Sequence, residues 1–311
     1  MIHYKNLHSL FFESFPNQAS EFIALTGFVG LDSISELSGL PFPSTVIYGL
    51  FKENQNKIIH DRLTGMHTEG RRILYPELAC HSKCYLWLNE GRPIKGYMGS
   101  ANFSPNGLKN DYRETLIEVD QNQLFVLKGY IEIIQGTATP CTDWEVRERE
   151  EFEEEYDKEI CDMVLYDPRT GQTQEGHGLN WGLAEGSHVR PNDACIPIRT
   201  HHIRKYPDLF PAIPHDIDRG RGSLKEIVEF IWDDGLIMQG RLEGSQPIDG
   251  IKHPKQLASF PHKDDLGKYF RDRMGIDHDI RITREDLVKY GRSDVSVSML
   301  SEGSYFCDFS V

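Results

Sequence analysis

The chain has 311 residues, 39% of them hydrophobic, and a formal net charge of -14 at pH 7. This length is typical of two domains, and the hydrophobic content is sufficient for two packed cores. No apolar run approaches the ~18 to 20 residues that cross a bilayer, and the N-terminus lacks the pattern of a secretion signal, so we expect a soluble intracellular protein without a membrane partner.

The first 80 residues have the pattern of a mixed α/β domain. The apolar runs FIALTGFVG and TVIYGLF are typical of strands, and LDSISELSGLPFP between them can hold one helix and a turn. Strands that alternate with helices predict a sheet with helices on its faces.

The stretch 81–104 brings together residue types that suit attack on a phosphodiester. CHSKCYLWL is predicted to be a strand, so His81 and Lys83 are expected on one face, and IKGYMGSANF is predicted to be the neighbouring strand. One nucleophile, one cation and small hydrogen-bond donors then meet at adjacent strand ends. Ser104 suits either a phosphate contact or the N-cap of a helix that begins at Pro105.

The order H-x-K, strand, turn, strand, G-S-x-N resembles the signature of the phospholipase D superfamily. The resemblance implies a His nucleophile that forms a covalent phosphohistidine, with Lys, Ser and Asn holding the phosphate oxygens and no metal or other cofactor. The residues that match the signature are His81, Lys83, Gly99, Ser100 and Asn102.

Two features depart from the most common form of this family. The usual Asp seven residues after the His is Leu88 here; many nuclease members instead carry a Glu on the following strand, and Glu114 in NDYRETLIEVD takes that place as the residue that orients the His81 ring. Only one H-x-K precedes a G-S-x-N. Members with one copy build the active site at a two-fold dimer interface, which implies a homodimer in which the partner's His81 is the general acid.

The next segments predict a helix and then a domain boundary. The apolar residues of QNQLFVLKGYIEIIQG recur three and four apart, which predicts a helix. Residues 143–175 hold four basic and thirteen acidic residues, lack Gly and Pro over two dozen positions, and end in a polar, glycine-rich stretch. We interpret them as an acidic helical segment and linker between a nuclease domain, 1–142, and a DNA-binding domain, 176–311.

The uneven distribution of charged residues along the chain affects which partners it can bind. The regions on either side of 143–175 are nearly neutral, so the net charge does not exclude DNA. The acidic segment suits a solvated connecting helix; the alternative is that it covers the nuclease cleft as a mimic of the DNA backbone.

The six cysteines show no paired C-x-x-C spacing, so we expect no zinc site and reduced thiols in the core. They are Cys80, Cys84, Cys141, Cys161, Cys195 and Cys307.

The C-terminal region has short strand-like runs separated by turns, as in a barrel. These runs are HGLNWG, DACIPI, IVEFIWDDGLIMQGRL, QLASF, SVSML and YFCDFSV, with helical stretches at KYPDLFP and DDLGKYFRDRMGI.

Several of these pieces, NWG with RPNDACIPI, WDDG and KQLASF, resemble the B3-like DNA-binding pseudobarrel, whose two arms grip the major groove. The resemblance implies a mostly-β pseudobarrel with base or phosphate contacts from both arms. The first arm carries Asn180, Trp181, His188, Arg190 and Asn192, and the second carries Ser245, Gln246, Lys252, Lys255 and Gln256.

A phospholipase-D-like nuclease followed by a B3-like domain is similar to a small group of metal-independent Type II restriction endonucleases that cut double-stranded DNA outside an asymmetric site. The similarity implies a bacterial cytoplasmic enzyme. Some members work with a separately encoded helicase-like ATPase and a methyltransferase, and the chain itself has no Walker motif. The alternatives are a non-specific nuclease, a lipid-processing phospholipase D enzyme, or a DNA-binding regulator with a relict nuclease fold.

Overall fold

The structure is a computed structural model, and it describes residues 1–53, 55–146, 159–184, 189–213, 226–278 and 280–311. The chain divides into two compact units, residues 1–154 and residues 155–311. Each unit has its own sheet and its own core.

The first unit is built on an eight-stranded mixed sheet. Its strands are β1 (Ile2–His3), β2 (Glu21–Thr26), β3 (Ser44–Tyr48), β4 (Arg71–Pro76), β5 (Cys84–Asn89), β6 (Arg92–Gly99), β7 (Leu116–Glu118) and β8 (Ala138–Pro140). They lie in the order β1-β7-β6-β5-β2-β3-β4-β8. β2, β3 and β4 are parallel, and every other neighbouring pair is antiparallel.

The described residues of the first unit also form five α-helices. They are α1 (Leu7–Phe12), α2 (Leu31–Glu36), α3 (Lys57–Met66), α4 (Pro105–Lys109) and α5 (Leu124–Gln135). The longest, α5, follows the predicted spacing, since Leu124, Leu127, Ile131 and Ile134 form its buried face. The tight turn between β5 and β6 places Glu90 and Gly91 at positive φ, 49° and 77°. The mixed α/β fold predicted for this domain is confirmed.

The second unit is built mostly of strands. They are β9 (Cys161–Val164), β10 (Ile196–Pro197), β11 (Glu226–Trp232), β12 (Ile237–Glu243), β13 (Gln246–Ile248), β14 (Ile251–His253), β15 (Gln256–Ser259), β16 (Asp294–Ser301) and β17 (Ser304–Asp308). Seven form a sheet in the order β10-β15-β12-β11-β17-β16-β9, and β13 and β14 form a separate hairpin. Only β11 and β17 are parallel neighbours in the seven-stranded sheet. The mostly-β class is confirmed.

The helices of the second unit are α6 (Thr200–Lys205), α7 (Asp264–Met274) and α8 (Arg284–Tyr290). α7 lies where predicted. The helix expected at KYPDLFP instead ends at Lys205, because the residue before Pro207 is disfavoured in helical conformation. The strand expected at HGLNWG is a 3₁₀ helix, Gly178–Leu183, in which the side chain of Asn180 is buried.

The expected acidic helix falls largely on residues 147–158, which lie outside the described residues. Within the range assigned to linker, Cys161–Val164 is a strand paired with β16. The reason is its alternation: Cys161 and Met163 are buried and Asp162 is exposed, as in an edge strand with one face on a core. Among the described residues, none of the helices is long and apolar enough to span a membrane.

Candidate active site

His81 and Lys83 lie just before β5. The strand was expected to include them, but the first residue with ladder partners on both sides is Cys84, opposite Leu25 and Met98. The side chain of His81 is exposed, whereas Lys83 is buried and its Nζ donates to the carbonyl of His81 at 2.8 Å. The ammonium of Lys83 therefore lies next to the backbone of His81.

A loop at the end of β2 contacts the His81 ring. A Cβ added to Gly27 would lie 2.5 Å from His81 Cδ2, so the ring occupies the space of a missing side chain. The ring of Phe28 meets the His81 ring edge-on, with centroids 6.0 Å apart. Sequence reasoning missed this loop; the available signal was a Gly directly after the buried strand FIALT.

The same loop fixes the amide of Asn102. The N–H of Phe28 donates to Asn102 Oδ1 at 3.2 Å, and the hydroxyl of Thr26 lies 3.4 Å from that oxygen. With Oδ1 engaged by donors, Nδ2 is the group that can donate to a substrate oxygen. Asn102 and His81 thus share one positioning loop, although 20 residues separate them in the sequence.

Ser100 and the residue after Glu114 form a reciprocal pair. The N–H of Ser100 donates to the carbonyl of Thr115, and the N–H of Thr115 donates to Ser100 Oγ, both at 3.0 Å. Since Oγ accepts from the backbone, its own proton can be donated to a phosphate oxygen. Glu114 lies two residues before β7 and is half-buried; its role toward His81 stays a prediction.

The remaining contacts around the G-S-x-N segment are structural. Tyr85 is fully buried, burial raises the pKa of its phenol, and the hydroxyl donates to the carbonyl of Ala101 at 2.6 Å. Ser104 Oγ accepts from the N–H of Gly107 at 3.2 Å, so Ser104 is the N-cap of α4. Phe103 is fully buried.

All six cysteines are free and buried, as expected. Burial raises the pKa of Cys84 and Cys141 to about 11 and that of Cys161 and Cys195 to about 12, which is typical of unreactive core thiols. In the part of the chain that the structure describes, no three His, Cys, Asp or Glu side chains are grouped as metal ligands.

Four of the ten predicted arm residues are buried or have side chains that hydrogen-bond within the fold. Asn180 is fully buried; its Nδ2 donates to the carbonyl of Ile282 at 2.8 Å, and its Oδ1 accepts from the N–H of Ile282 at 2.9 Å. Gln246 donates to two backbone carbonyls, at 2.8 and 2.9 Å, and the buried Gln256 donates to Glu243 at 2.8 Å. Asn192 is buried in a left-handed turn with φ 69°.

Four other predicted arm residues are available to DNA. Their side chains are exposed: Arg190 in the first arm, and Ser245, Lys252 and Lys255 in the second. The predicted second arm falls on the β13–β14 hairpin and the residues that flank it. Trp181 is half-buried, and His188 lies outside the described residues. Hydrophobicity patterns could not separate the buried arm residues from the exposed ones, since Asn and Gln occur both in cores and at interfaces.

Lys263, which sequence reasoning missed, contacts one residue of the predicted first arm and one residue next to the predicted second arm. Its Nζ lies 4.4 Å from the centroid of the Trp181 ring and 2.6 Å from the carboxylate of Glu243. Trp181 is in the predicted first arm, and Glu243 is the last residue of β12, shortly before the predicted second arm. Lys263 therefore neutralises a nearly buried carboxylate and at the same time packs on an aromatic ring.

The fold and the site define a nuclease of the phospholipase D type joined to a DNA-binding domain. Residues 5–148 match the NgoFVII restriction endonuclease N-terminal PLD domain, and residues 155–301 match the NgoFVII C-terminal B3-like DNA-binding domain. The chain belongs to this family of restriction endonucleases, and the predicted family and class of enzyme are confirmed.

Solved structures give a weaker likeness on which no argument here depends. NucT from Helicobacter pylori is 17% identical, with 39% of this chain and 83% of that chain covered at a TM-score of 0.31. Nuc from Salmonella typhimurium, a phospholipase D family member, is 10% identical, with 39% and 82% covered at a TM-score of 0.29. No curated protein matches the chain.

Proposed function

We propose that this chain is a sequence-specific restriction endonuclease that hydrolyses DNA phosphodiesters without a metal ion, with His81 as the nucleophile. The observation that carries the proposal is the 26–28 loop, which contacts the His81 ring through Gly27 and the Asn102 amide through Phe28. One rigid loop thereby sets the nucleophile and a phosphate-binding donor relative to each other, as positioning in phosphoryl transfer requires.

The reaction proceeds in two displacements at phosphorus. An imidazole nitrogen of His81 attacks the phosphorus, the bond to the leaving oxygen breaks, and that oxygen takes a proton from the partner's His81. Water then attacks the phosphohistidine, gives up a proton to the same partner imidazole and releases a phosphate-ended strand. Lys83 and the free donors of Ser100 and Asn102 stabilise the charge on the non-bridging oxygens, and Glu114 orients the ring of His81.

Cleavage of plasmid DNA in excess EDTA tests the nucleophile and the metal independence together. Wild type should give discrete fragments, and His81→Ala should lose at least about 10³-fold in rate because the nucleophile is gone. A denaturing gel should show end-labelled DNA attached to wild type through an acid-labile bond and no such band with His81→Ala. A smear in place of fragments would indicate a non-specific nuclease; activity that EDTA abolishes would contradict the mechanism.

We also propose a homodimer formed through α5 and the exposed apolar side chains of β6 and β7. The buried face of α5 points to its own sheet, but Val126, Tyr130 and Ile133 form a second, exposed apolar stripe at i, i+4 and i+7. Met98 on β6 and Ile117 on β7 are exposed as well. Val126, Tyr130, Met98 and Ile117 border a groove of about 620 Å³ that Ser82, Lys83 and Gly99 also line, so this part of the apolar surface is continuous with the predicted catalytic residues. A second copy is the occupant that this continuity favours.

Two valines with similar exposure, one on α5 and one on α8, test the proposed dimer interface. Val126 is 65% exposed on α5 and Val288 is 63% exposed on α8, so Glu at either site should cost the fold little. Sedimentation should find Val126→Glu monomeric and inactive, because the second His81 is lost, and Val288→Glu dimeric and active. A dimeric, active Val126→Glu would place the interface elsewhere.

DNA contacts are proposed for the exposed arm residues, above all Arg190, Lys252 and Lys255. If Lys252 holds a phosphate, Lys252→Ala should weaken DNA binding and lower the slope of log K against log salt by about 1. Lys289→Ala removes an exposed lysine from α8 and serves as the charge-matched control. Equal salt slopes for both variants would contradict the assignment.

A further inference from the structure

The segment that carries the nucleophile lies between two strands. Residues 80–83 lie between β4 and β5 and belong to neither strand. The backbone of this segment is tied at its start, where the N–H of Cys80 donates to the carbonyl of Gly49 at 2.9 Å, and at its end, where the N–H of Gly99 donates to the carbonyl of Lys83 at 3.2 Å. His81 lies between these two ties.

Tyr130 on α5 adds a contact at the middle of this segment. Its hydroxyl lies 2.6 Å from Ser82 Oγ and 3.2 Å from Cys80 Sγ, so it reaches the residues directly before and after His81. Ser82 is the variable residue of H-x-K, and the family signature gives it no role. The contact comes from a helix whose buried residues, Leu127, Ile131 and Ile134 among them, pack next to Tyr130, so this packing sets the position of the hydroxyl.

The pKa shifts of Tyr130 and Cys80 are consistent with these hydrogen bonds. Burial, and then the hydrogen bond with Cys80, raise the pKa of Tyr130, so the phenol keeps its proton at neutral pH. Burial opposes ionisation of Cys80, but hydrogen bonds with Ser82 and Tyr130 outweigh it and lower the pKa of the thiol. The three groups therefore stabilise one another's positions in the ordinary pH range.

We propose that Tyr130 is a positioning residue for His81: its hydroxyl fixes Ser82 and Cys80, and through them the backbone from which the imidazole projects. The inference rests on the proposed function, in which His81 is the nucleophile. Tyr130 itself touches neither the imidazole nor the phosphate in this role. Its effect should therefore fall on turnover and on the environment of the His81 ring, with DNA binding left intact.

The test compares Tyr130→Phe, Ser82→Ala and the double variant in the full-length protein, with Tyr4→Phe as control. Tyr4 is an exposed tyrosine of the same unit, so its variant makes the same chemical change away from the site. Tyr130→Phe and Ser82→Ala should each lower kcat by about 10-fold to 100-fold with KM for DNA within about twofold of wild type. The double variant should be no slower than Tyr130→Phe, because the contact that Ser82→Ala removes is one that Tyr130→Phe already removes.

A second readout does not depend on cleavage. The His81 imidazole signals, assigned in NMR spectra with His81→Asn, should shift in Tyr130→Phe and stay in place in Tyr4→Phe. Wild-type turnover and unshifted His81 signals in Tyr130→Phe would overturn the proposal, as would a loss explained by a raised KM or by dissociation of the dimer. If wild type fails to cleave DNA, the proposed function fails, and the His81 signals still decide whether Tyr130 positions the ring.

Discussion

The backbone N–H of Phe28 donates to the side-chain oxygen of Asn102 across 74 residues of sequence, at 3.2 Å. The contact sets the orientation of the Asn102 amide, because an N–H donor requires the oxygen and so turns Nδ2 outward. It also links the G-S-x-N segment to the loop that contacts His81.

This orientation makes Asn102→Asp an informative variant. An aspartate can still accept from Phe28, so we expect the fold to survive, but it offers a substrate phosphate a negative charge where the amide offered a donor. We expect cleavage to fall by about 10²-fold or more, with DNA binding by the second unit unchanged. Single-turnover rates and DNA affinity measured on the same samples check this. Asn102→Asp with wild-type turnover would mean that Nδ2 does not contact the phosphate.

Gly27→Ala should inactivate the enzyme with little loss of stability. The added methyl group would lie 2.5 Å from His81 Cδ2, so the exposed ring must move, whereas the backbone at Gly27 has an ordinary φ that alanine adopts. We expect about 10²-fold lower turnover, since a 1 Å misplacement costs about that much.

The control for this variant is Gly65→Ala. A Cβ at Gly65 meets nothing within 4 Å, and the residue lies inside α3. Alanine there should raise stability by about 0.5 to 1 kcal/mol and leave cleavage unchanged. Thermal unfolding and cleavage rates are measured for both variants. An active Gly27→Ala enzyme would show that the His81 ring has room to shift during the reaction.

The sequence predicted local features well and tertiary contacts poorly. The β5–β6 hairpin and α5 follow from alternation and from a period of three to four, which depend on neighbours in the chain. The 26–28 loop could not be predicted, because its role comes from contacts with Asn102 and His81 that no local pattern encodes. The arms show the same limit: Asn180 suits adenine recognition by residue type, yet in the fold its amide holds the backbone of Ile282.

An ionic network in the nuclease unit predicts acid sensitivity. Burial opposes ionisation of Glu36, but hydrogen bonds from His8 and Lys109 outweigh it and lower the pKa of Glu36 to about 2 from 4.5. The carboxylate therefore stabilises the fold fully above about pH 4.5, and this contribution is lost as the pH falls toward 2. Burial raises the pKa of Asp32 in the same network and offsets part of the effect.

The loss should amount to about 1 to 3 kcal/mol after allowance for partial exposure. Hydrogen exchange of α1 and α2 amides between pH 5 and pH 2.5, corrected for intrinsic rates, measures it in the full chain. Glu36→Gln should flatten this pH dependence. Asp61→Asn, which removes an exposed ion pair with Lys57, should keep the wild-type profile. A wild-type profile in Glu36→Gln would show that the network does not control acid stability.

Lys263 should affect DNA binding through the placement of the arms. Lys263→Met removes the ammonium but keeps an apolar side chain against Trp181, and it leaves the nearly buried carboxylate of Glu243 without its cation. We expect DNA affinity to fall by about 10-fold, since an uncompensated buried charge disturbs its surroundings.

The double variant Lys263→Met with Glu243→Gln separates this role from direct contact with a phosphate. Neutralising Glu243 removes the uncompensated charge. The double variant should therefore recover most of the DNA affinity if Lys263 acts by holding Glu243 and Trp181 in place. If Lys263 instead holds DNA, the double variant stays as weak as the single one and the salt slope falls by about 1 in both. Affinities measured at several salt concentrations, with Lys289→Ala as the reference for loss of a surface charge, distinguish the two outcomes.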